Sequence, residues 1–260
     1  MGIPSKTQLF IDGLKNNPSN SNRPLYIDES GAISARWHNL KLSSVFQPIY
    51  QSNALTKAFA YEAFVRCEDA DGKRISVTEL FSRPTDHDEI TGLDRLCRTI
   101  HLLNFVQQDI QDALLFLCVN EGLISAVDDN HGAAFRKVID ALGFSPSRIV
   151  IELPASLVKD TKRIHFVLQN YRLNSLEVAI NIQSIEDLRR LSERATIHYV
   201  KIDRSLFSTD SSSFDELEQI TQLSSQTNTI IAKNEAALNT IQDPKILLQG
   251  HFYGEPCPFK

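Results

Sequence analysis

No stretch of this 260-residue chain approaches the roughly 20 consecutive apolar residues that a bilayer-spanning helix needs. The N-terminus, Met1 to Leu14, lacks the apolar core of a signal peptide. The compartment expected is therefore the cytoplasm, with no membrane role. Positive charge is not concentrated anywhere. The formal net charge is −5 with both signs scattered, so no groove for DNA or RNA is expected. Cysteine is scarce: Cys67, Cys97, Cys118 and Cys257 stand far apart, which argues against a zinc site and for reduced, mostly buried thiols. The seven histidines show no ligand spacing. No glycine-rich phosphate loop follows an early strand, which leaves dinucleotide-binding and P-loop folds without support. There is no long internal repeat, and the one low-complexity tract is the Asn/Ser/Pro segment from Asn16 to Pro24.

What is present is alternation. Short apolar runs recur, each ending on a polar residue: Phe59 to Glu62 leading into Ala63 to Arg66, then Leu117 to Asn120, Val150 to Leu153, Val178 to Asn181, Tyr199 to Asp203, Ile230 to Lys233 and Leu247 to Gly250. Runs this short and apolar read as strands buried on both faces, as in a parallel sheet. Between them lie segments with helical spacing: Leu93 to Gln108, Ala133 to Leu142, Leu157 to Asn170, Ser184 to Glu193, Ser213 to Gln226 and Glu235 to Ile241. About seven strand–helix steps predict an α/β fold, a TIM-like (β/α)8 barrel. One early strand is expected to be antiparallel, because Val45 to Tyr50 and Ala58 to Arg66 are joined by the turn Gln51-Ser52-Asn53. In such a barrel the polar strand ends converge on one face, where sites form. Residues 1–39 read as an N-terminal extension: a helix from Lys6 to Leu14, the polar tract, and a hairpin from Leu25 to Trp37. Trp37, the only tryptophan, is expected to pack the extension onto a core domain of residues 40–260. Asp86-His87-Asp88-Glu89 could pass for a metal motif but reads as a solvated loop.

The strand ends carry a resemblance. Phe46-Gln47-Pro48-Ile49 followed by Tyr61-Glu62-Ala63-Phe64-Val65-Arg66 resembles the opening of EAL domains, with Phe64 in place of the signature Leu. Cys118-Val119-Asn120, Ile151-Glu152-Leu153, Tyr199 to Ser205 and Gln249 to Pro256 are similar to later landmarks of that family, in order, from about Leu40 onward. The resemblance implies a barrel of EAL type. It also implies a chemistry, since EAL domains hydrolyse the bacterial second messenger cyclic di-GMP with two Mg²⁺ or Mn²⁺ ions. Such hard cations want several carboxylates. Carried over residue by residue, the family's metal ligands fall on Glu62, Asn120 and Glu152. Lys201 and Asp203 fall where the attacking water is oriented, and Gln47, Arg66, Asn120 and Gln249 where nucleotide is contacted.

The departures matter as much. A consecutive pair of acids is replaced by Asn181 and Ile182, and a later acid by Lys233. The second acid after Ile-Glu-Leu is missing near Ala155 and Ser156. Asn offers a carbonyl but no charge, and an ammonium repels a nearby cation by several kcal/mol. The sequence therefore predicts that no metal centre assembles and that Lys233 is a counter-charge for Glu62 or Glu152. The function expected is a catalytically inactive regulatory protein of bacterial cyclic di-GMP signalling, acting as a nucleotide receptor or through a protein partner, with a homodimer compatible. The alternative is an active cyclic di-GMP phosphodiesterase with an atypical metal site, which alone would need Mg²⁺ or Mn²⁺. A barrel enzyme of other chemistry finds no second constellation of residues.

Overall fold

A computed structural model of the chain describes residues 5–15, 25–108, 110, 112–125, 131–192, 197–203, 222, 227–232 and 243–259. Its centre is a closed barrel of eight strands: β3 (Leu40–Gln51), β4 (Ala60–Glu68), β6 (Leu114–Cys118), β7 (Ile149–Leu153), β8 (Glu177–Ile182), β9 (Tyr199–Asp203), β10 (Asn228–Ala232) and β11 (Ile246–Leu248). From β4 to β11 neighbours pair in parallel. The early strand β3 closes the ring antiparallel to both β4 and β11. The connection from β3 to β4, residues 52–59, is longer than the expected turn at Gln51 to Asn53 but still too short for the crossover that a parallel pair needs. Three further strands extend the sheet: β1 (Leu25–Ile27), β2 (Ile33–Trp37) and β5 (Arg74–Ile75).

Helices cover the outside: α1 (Ser5–Lys15), α2 (Val77–Ser82), α3 (His87–Val106), α4 (Glu121–Ser125), α5 (His131–Leu142), α6 (Thr161–Leu173) and α7 (Ile185–Ser192). Their ends follow from capping chemistry. Ser184 Oγ accepts from Asp187 N at 3.1 Å at the start of α7, and α5 stops at Gly143 with φ +65°. The acidic run at residues 86–89 is not a loop. Asp86 caps α3, its Oδ1 accepting from Glu89 N at 2.8 Å, and Asp88 and Glu89 fill the first turn. Acids there meet the positive end of the helix dipole, a better place for them than a loop. The single helix expected from Leu157 to Asn170 is also divided. A 3₁₀ segment, Ala155–Lys159, ends at Asp160, whose side chain then caps α6. The helices expected over 213–226 and 235–241 lie outside the described residues.

The N-terminal hairpin is fastened to the barrel wall. Trp37 is buried and pairs with Leu40 across β2 and β3. Asn104 of α3 accepts from Ile33 N at 2.8 Å and donates to Ile33 O at 2.7 Å. Of the four free thiols, Cys67 and Cys97 are buried, whereas Cys118 and Cys257 are exposed, so the expectation of mostly buried cysteines holds for only two.

The barrel interior is layered by the period of two along a strand. Each of the eight barrel strands gives one residue to a dry plug: Ile49, Ala60, Phe116, Val150, Ala179, Tyr199, Ile230 and Leu247. The intervening residues, such as Leu117, Ile151, Ile180 and Ile202, pack outward under the helices.

Candidate functional site

Two residues further toward the mouth, the same eight strands and their ends present Gln47, Glu62, Cys118, Glu152, Asn181, Lys201, Ala232 and Gln249. This second ring forms the floor of the barrel mouth. All but Cys118 and Glu152 line a cavity of about 710 Å³, together with Phe64, Arg66, Ala155, Gln183, Asp203 and His251.

The ring is densely hydrogen-bonded. Lys201 Nζ donates to Glu62 Oε2 at 2.5 Å and to both oxygens of Glu152 at 3.2 Å. Gln249 Nε2 donates to Glu62 Oε2 at 2.5 Å and reaches Gln47 Oε1 at 3.2 Å. Asn181 Nδ2 donates to Glu152 Oε1 at 2.8 Å. The Cys118 thiol points at Glu62 Oε1, 3.3 Å away. Gln47 in turn donates to Gly254 O at 2.9 Å, tying the ring to the C-terminal segment. Glu62, Glu152 and Lys201 are 2%, 4% and 8% exposed, so their charges compensate one another rather than water.

The electrostatics follow. Burial pushes the Glu152 carboxyl up, and the neighbouring Glu62 charge adds to this, against the pull of Lys201 and Asn181. For Lys201, burial acts to lower the pKa, but Glu152 and Glu62 outweigh it and hold the ammonium firmly charged. The Cys118 thiol is pushed well above its ordinary range by the protein around it and by the Glu152 and Glu62 charges, although part of the residue's surface reaches solvent.

The predicted site residues fall into three groups. Glu62, Glu152, Lys201, Gln47 and Gln249 come together in the ring, and Arg66 and Asp203 line the cavity above it. Asn120 does not join them. It lies beyond the end of β6, where its backbone N donates to Asp94 at 3.0 Å and its Oδ1 accepts from Gly122 N at 2.8 Å, opening α4. The ring position expected for Asn120 is held by Cys118, which a count of two from Phe116 would have found. Lys233 lies outside the described residues. The counter-charge expected from it is supplied by Lys201. Asn181, expected as a lost ligand, is the donor that fixes Glu152.

The family model of the EAL domain matches residues 31–244. The chain belongs to the EAL family. Its fold is similar to that of the FimX EAL domain from Pseudomonas aeruginosa bound to c-di-GMP, with a TM-score of 0.71 and 17% identity over 84% of this chain and 91% of that one. It is similar to the Xanthomonas citri FimX EAL domain in complex with c-di-GMP, at 0.69 and 18% over 84% and 88%. Klebsiella pneumoniae BlrP1, in a calcium/c-di-GMP complex, gives 0.68 and 16% over 83% of this chain, which spans only 56% of BlrP1. Among curated proteins none matches. No helix among the described residues is long and apolar enough to cross a membrane.

The EAL resemblance implies two hard divalent cations, and the ring of this EAL domain does not fit them. Glu62, Cys118 and Glu152 bring possible ligand atoms within 4.8 Å of one another, but one of the three is a thiol, a soft donor that suits neither Mg²⁺ nor Mn²⁺. Lys201 Nζ already bridges the two carboxylates. Among the described residues of the mouth, Glu62, Glu152 and Asp203 face Lys201 and Arg66, a formal net charge of −1. Two divalent ions would bring four positive charges to it.

Proposed function

We propose that this chain is a catalytically inactive EAL protein that acts in cyclic di-GMP signalling as a regulator, by binding the nucleotide without cutting it and passing the state of the mouth to a protein partner. The observation that supports this best is the Lys201 ammonium bonded to both Glu62 and Glu152. The carboxylates that would hold cations are satisfied from within the protein, and Asn181, Cys118 and Ala232 add no charge to the ring. Without a cation to lower its pKa, a water held here would be a poor nucleophile.

The same mouth suits a ligand. Its volume lies within the ~300–1,000 Å³ usual for small-molecule sites. Arg66 at its rim supplies a cation that phosphate oxygens accept from. Arg66 loses some proton affinity to burial and then to Arg74, a cost that a bound phosphodiester would offset. Gln47, Asn181, Gln183 and Gln249 offer neutral donors and acceptors for a purine edge. Similar folds hold c-di-GMP in FimX.

Calorimetric titration of the purified protein with cyclic di-GMP, with and without Mg²⁺, followed by chromatography of the mixture, tests this reading. We expect binding that Mg²⁺ does not change, and no linear dinucleotide. Product formation that Glu62→Ala abolishes would restore the phosphodiesterase reading. Neither binding nor product would leave the protein partner alone as the route of action.

A further inference from the structure

A second cavity lies beside the mouth, outside the barrel wall, where β4 and the end of β6 meet α2 and α3. Its volume is about 290 Å³. Among the described residues, Phe64 alone lines both cavities. The walls of the second one are mostly apolar: Phe64 and Val65 from β4, Val77 and Phe81 from α2, and Cys97 from α3. Its opening is marked by Val77, 46% exposed, and by the exposed Glu121.

Among these walls sits an unfinished set of hydrogen bonds. Arg98 lines the cavity from α3 and is 1% exposed. Its Nε donates to Asp94 Oδ2 at 2.7 Å, and its Nη2 donates to the same oxygen. Asp94 Oδ1 accepts from Asn120 N at 3.0 Å. The guanidinium lies over Phe135, with Cζ 4.9 Å from the ring centre. Nη1 remains: it is buried and has no hydrogen-bond partner. A buried donor left unmade is unfavourable, and such groups in native structures call for an explanation. A single water would meet Nη1 and leave the apolar walls uncovered.

We propose that this cavity is a second binding site, for a small uncharged molecule with an apolar body and one oxygen acceptor. The body packs between Phe64, Val77 and Phe81, and the oxygen accepts from Arg98 Nη1. The size follows from the volume: an apolar cavity of about 150 Å³ holds benzene, so this one takes roughly ten non-hydrogen atoms. The lack of charge follows from the balance already present. Asp94 compensates Arg98, and Glu121 adds a negative charge at the opening, so an anion meets net repulsion. A cation would enter against Arg98, and both Asp94 oxygens are already used. The site is independent of the nucleotide reading, which concerns the mouth.

Titration of the isotope-labelled full chain, followed by its amide NMR resonances, tests this with three probes. Indanone carries the acceptor, indane is the same body without it, and indane carboxylate adds a negative charge. We expect indanone to bind saturably at millimolar concentration or below, with shifts centred on Phe64, Val77, Arg98 and Val119. It should bind about threefold or more tightly than indane, although it is the less apolar of the two, and more tightly than the carboxylate. Comparing ligands spares Arg98, whose removal would orphan the buried Asp94. Val77→Trp puts a large ring into the opening at a half-exposed position, and should weaken indanone about tenfold or more. Should that variant fail to fold, the wild-type shifts and the ranking of the three probes still decide. No saturable binding of indanone, shifts confined to the mouth, indane or the carboxylate binding as tightly, or undiminished indanone binding by folded Val77→Trp would each overturn the proposal.

Discussion

The two rings inside this barrel lie two residues apart on the same eight strands, yet they follow opposite rules. The lower ring, from Ile49 to Leu247, is apolar and dry. The upper ring buries two carboxylates and an ammonium almost completely. Burying each ion costs several kcal/mol before pairing offsets it, so a barrel built only for stability would repeat the lower ring. The upper ring instead keeps Glu62, Glu152 and Lys201 in mutual contact, at the floor of the cavity proposed to bind nucleotide. The lesson is that strand direction and depth, rather than residue type alone, separate the dry plug from the charged ring above it.

The sharpest way to break the comparison is to unbalance one ring at a time. Lys201→Met leaves Glu62 and Glu152 buried without their cation and should cost about 3–5 kcal/mol in urea denaturation. Phe116→Ala in the lower ring should cost a similar ~3–5 kcal/mol through the cavity it opens. The two losses differ in their cure. Adding Glu62→Gln and Glu152→Gln to Lys201→Met removes the orphaned charges and should restore most of the stability, whereas no change in the upper ring repairs Phe116→Ala. A Lys201→Met protein as stable as wild type would show that the ammonium does not hold the ring.

Asn181→Asp tests the missing charge. The variant exchanges the donor to Glu152 Oε1 for a third carboxylate, and should lose about 2–3 kcal/mol in EDTA. Mg²⁺ should recover part of that loss, while wild-type stability should not respond to Mg²⁺. Equal responses in the two proteins would mean that the ring already holds a cation.

A third depth, between β3 and α3, sharpens the contrast through pH. His101 is buried, with Nδ1 2.7 Å from Ser44 Oγ, and burial, then Arg98, lowers its pKa to about 3. A depressed folded value means that its contribution is complete above the unfolded value near 6.5 and is lost as pH falls toward 3. By pH 5 the loss should reach about 2 kcal/mol. It is read as the pH-dependent difference between wild type and His101→Gln, which should shrink to nothing above pH 7.

The barrel was legible because its strands are short apolar runs at even spacing, and Glu62, Glu152, Lys201 and Gln249 because each ends such a run. What was not legible depended on where a strand ends and on distant contacts. Asn120 resembles a family landmark, but it stands four residues past Phe116, beyond the strand's end at Cys118, where no ladder aims it inward. The pairing of Lys201 with Glu62 spans 139 residues and follows only once the barrel closes. The acidic run at 86–89 misled because charge density was weighed without its capping position.

Cys118 gives the smallest effect and the finest test of the upper ring. Its thiol donates weakly to Glu62, and Cys118→Ser keeps a donor there, so stability should change by less than about 1 kcal/mol. Reactivity should reveal the surroundings that stability does not. Part of each of Cys118 and Cys257 reaches solvent, but at Cys118 the burial of the thiol, and then the Glu152 and Glu62 charges, disfavour the thiolate that attacks an alkylating agent. Iodoacetamide labelling followed by mass spectrometry should therefore modify Cys257 well before Cys118. In Glu62→Gln, with one carboxylate neutralised, Cys118 should react faster. Equal labelling rates at the two cysteines in wild type would mean that the thiol is neither buried nor set against the Glu152 and Glu62 charges, and that the ring is open where the structure closes it.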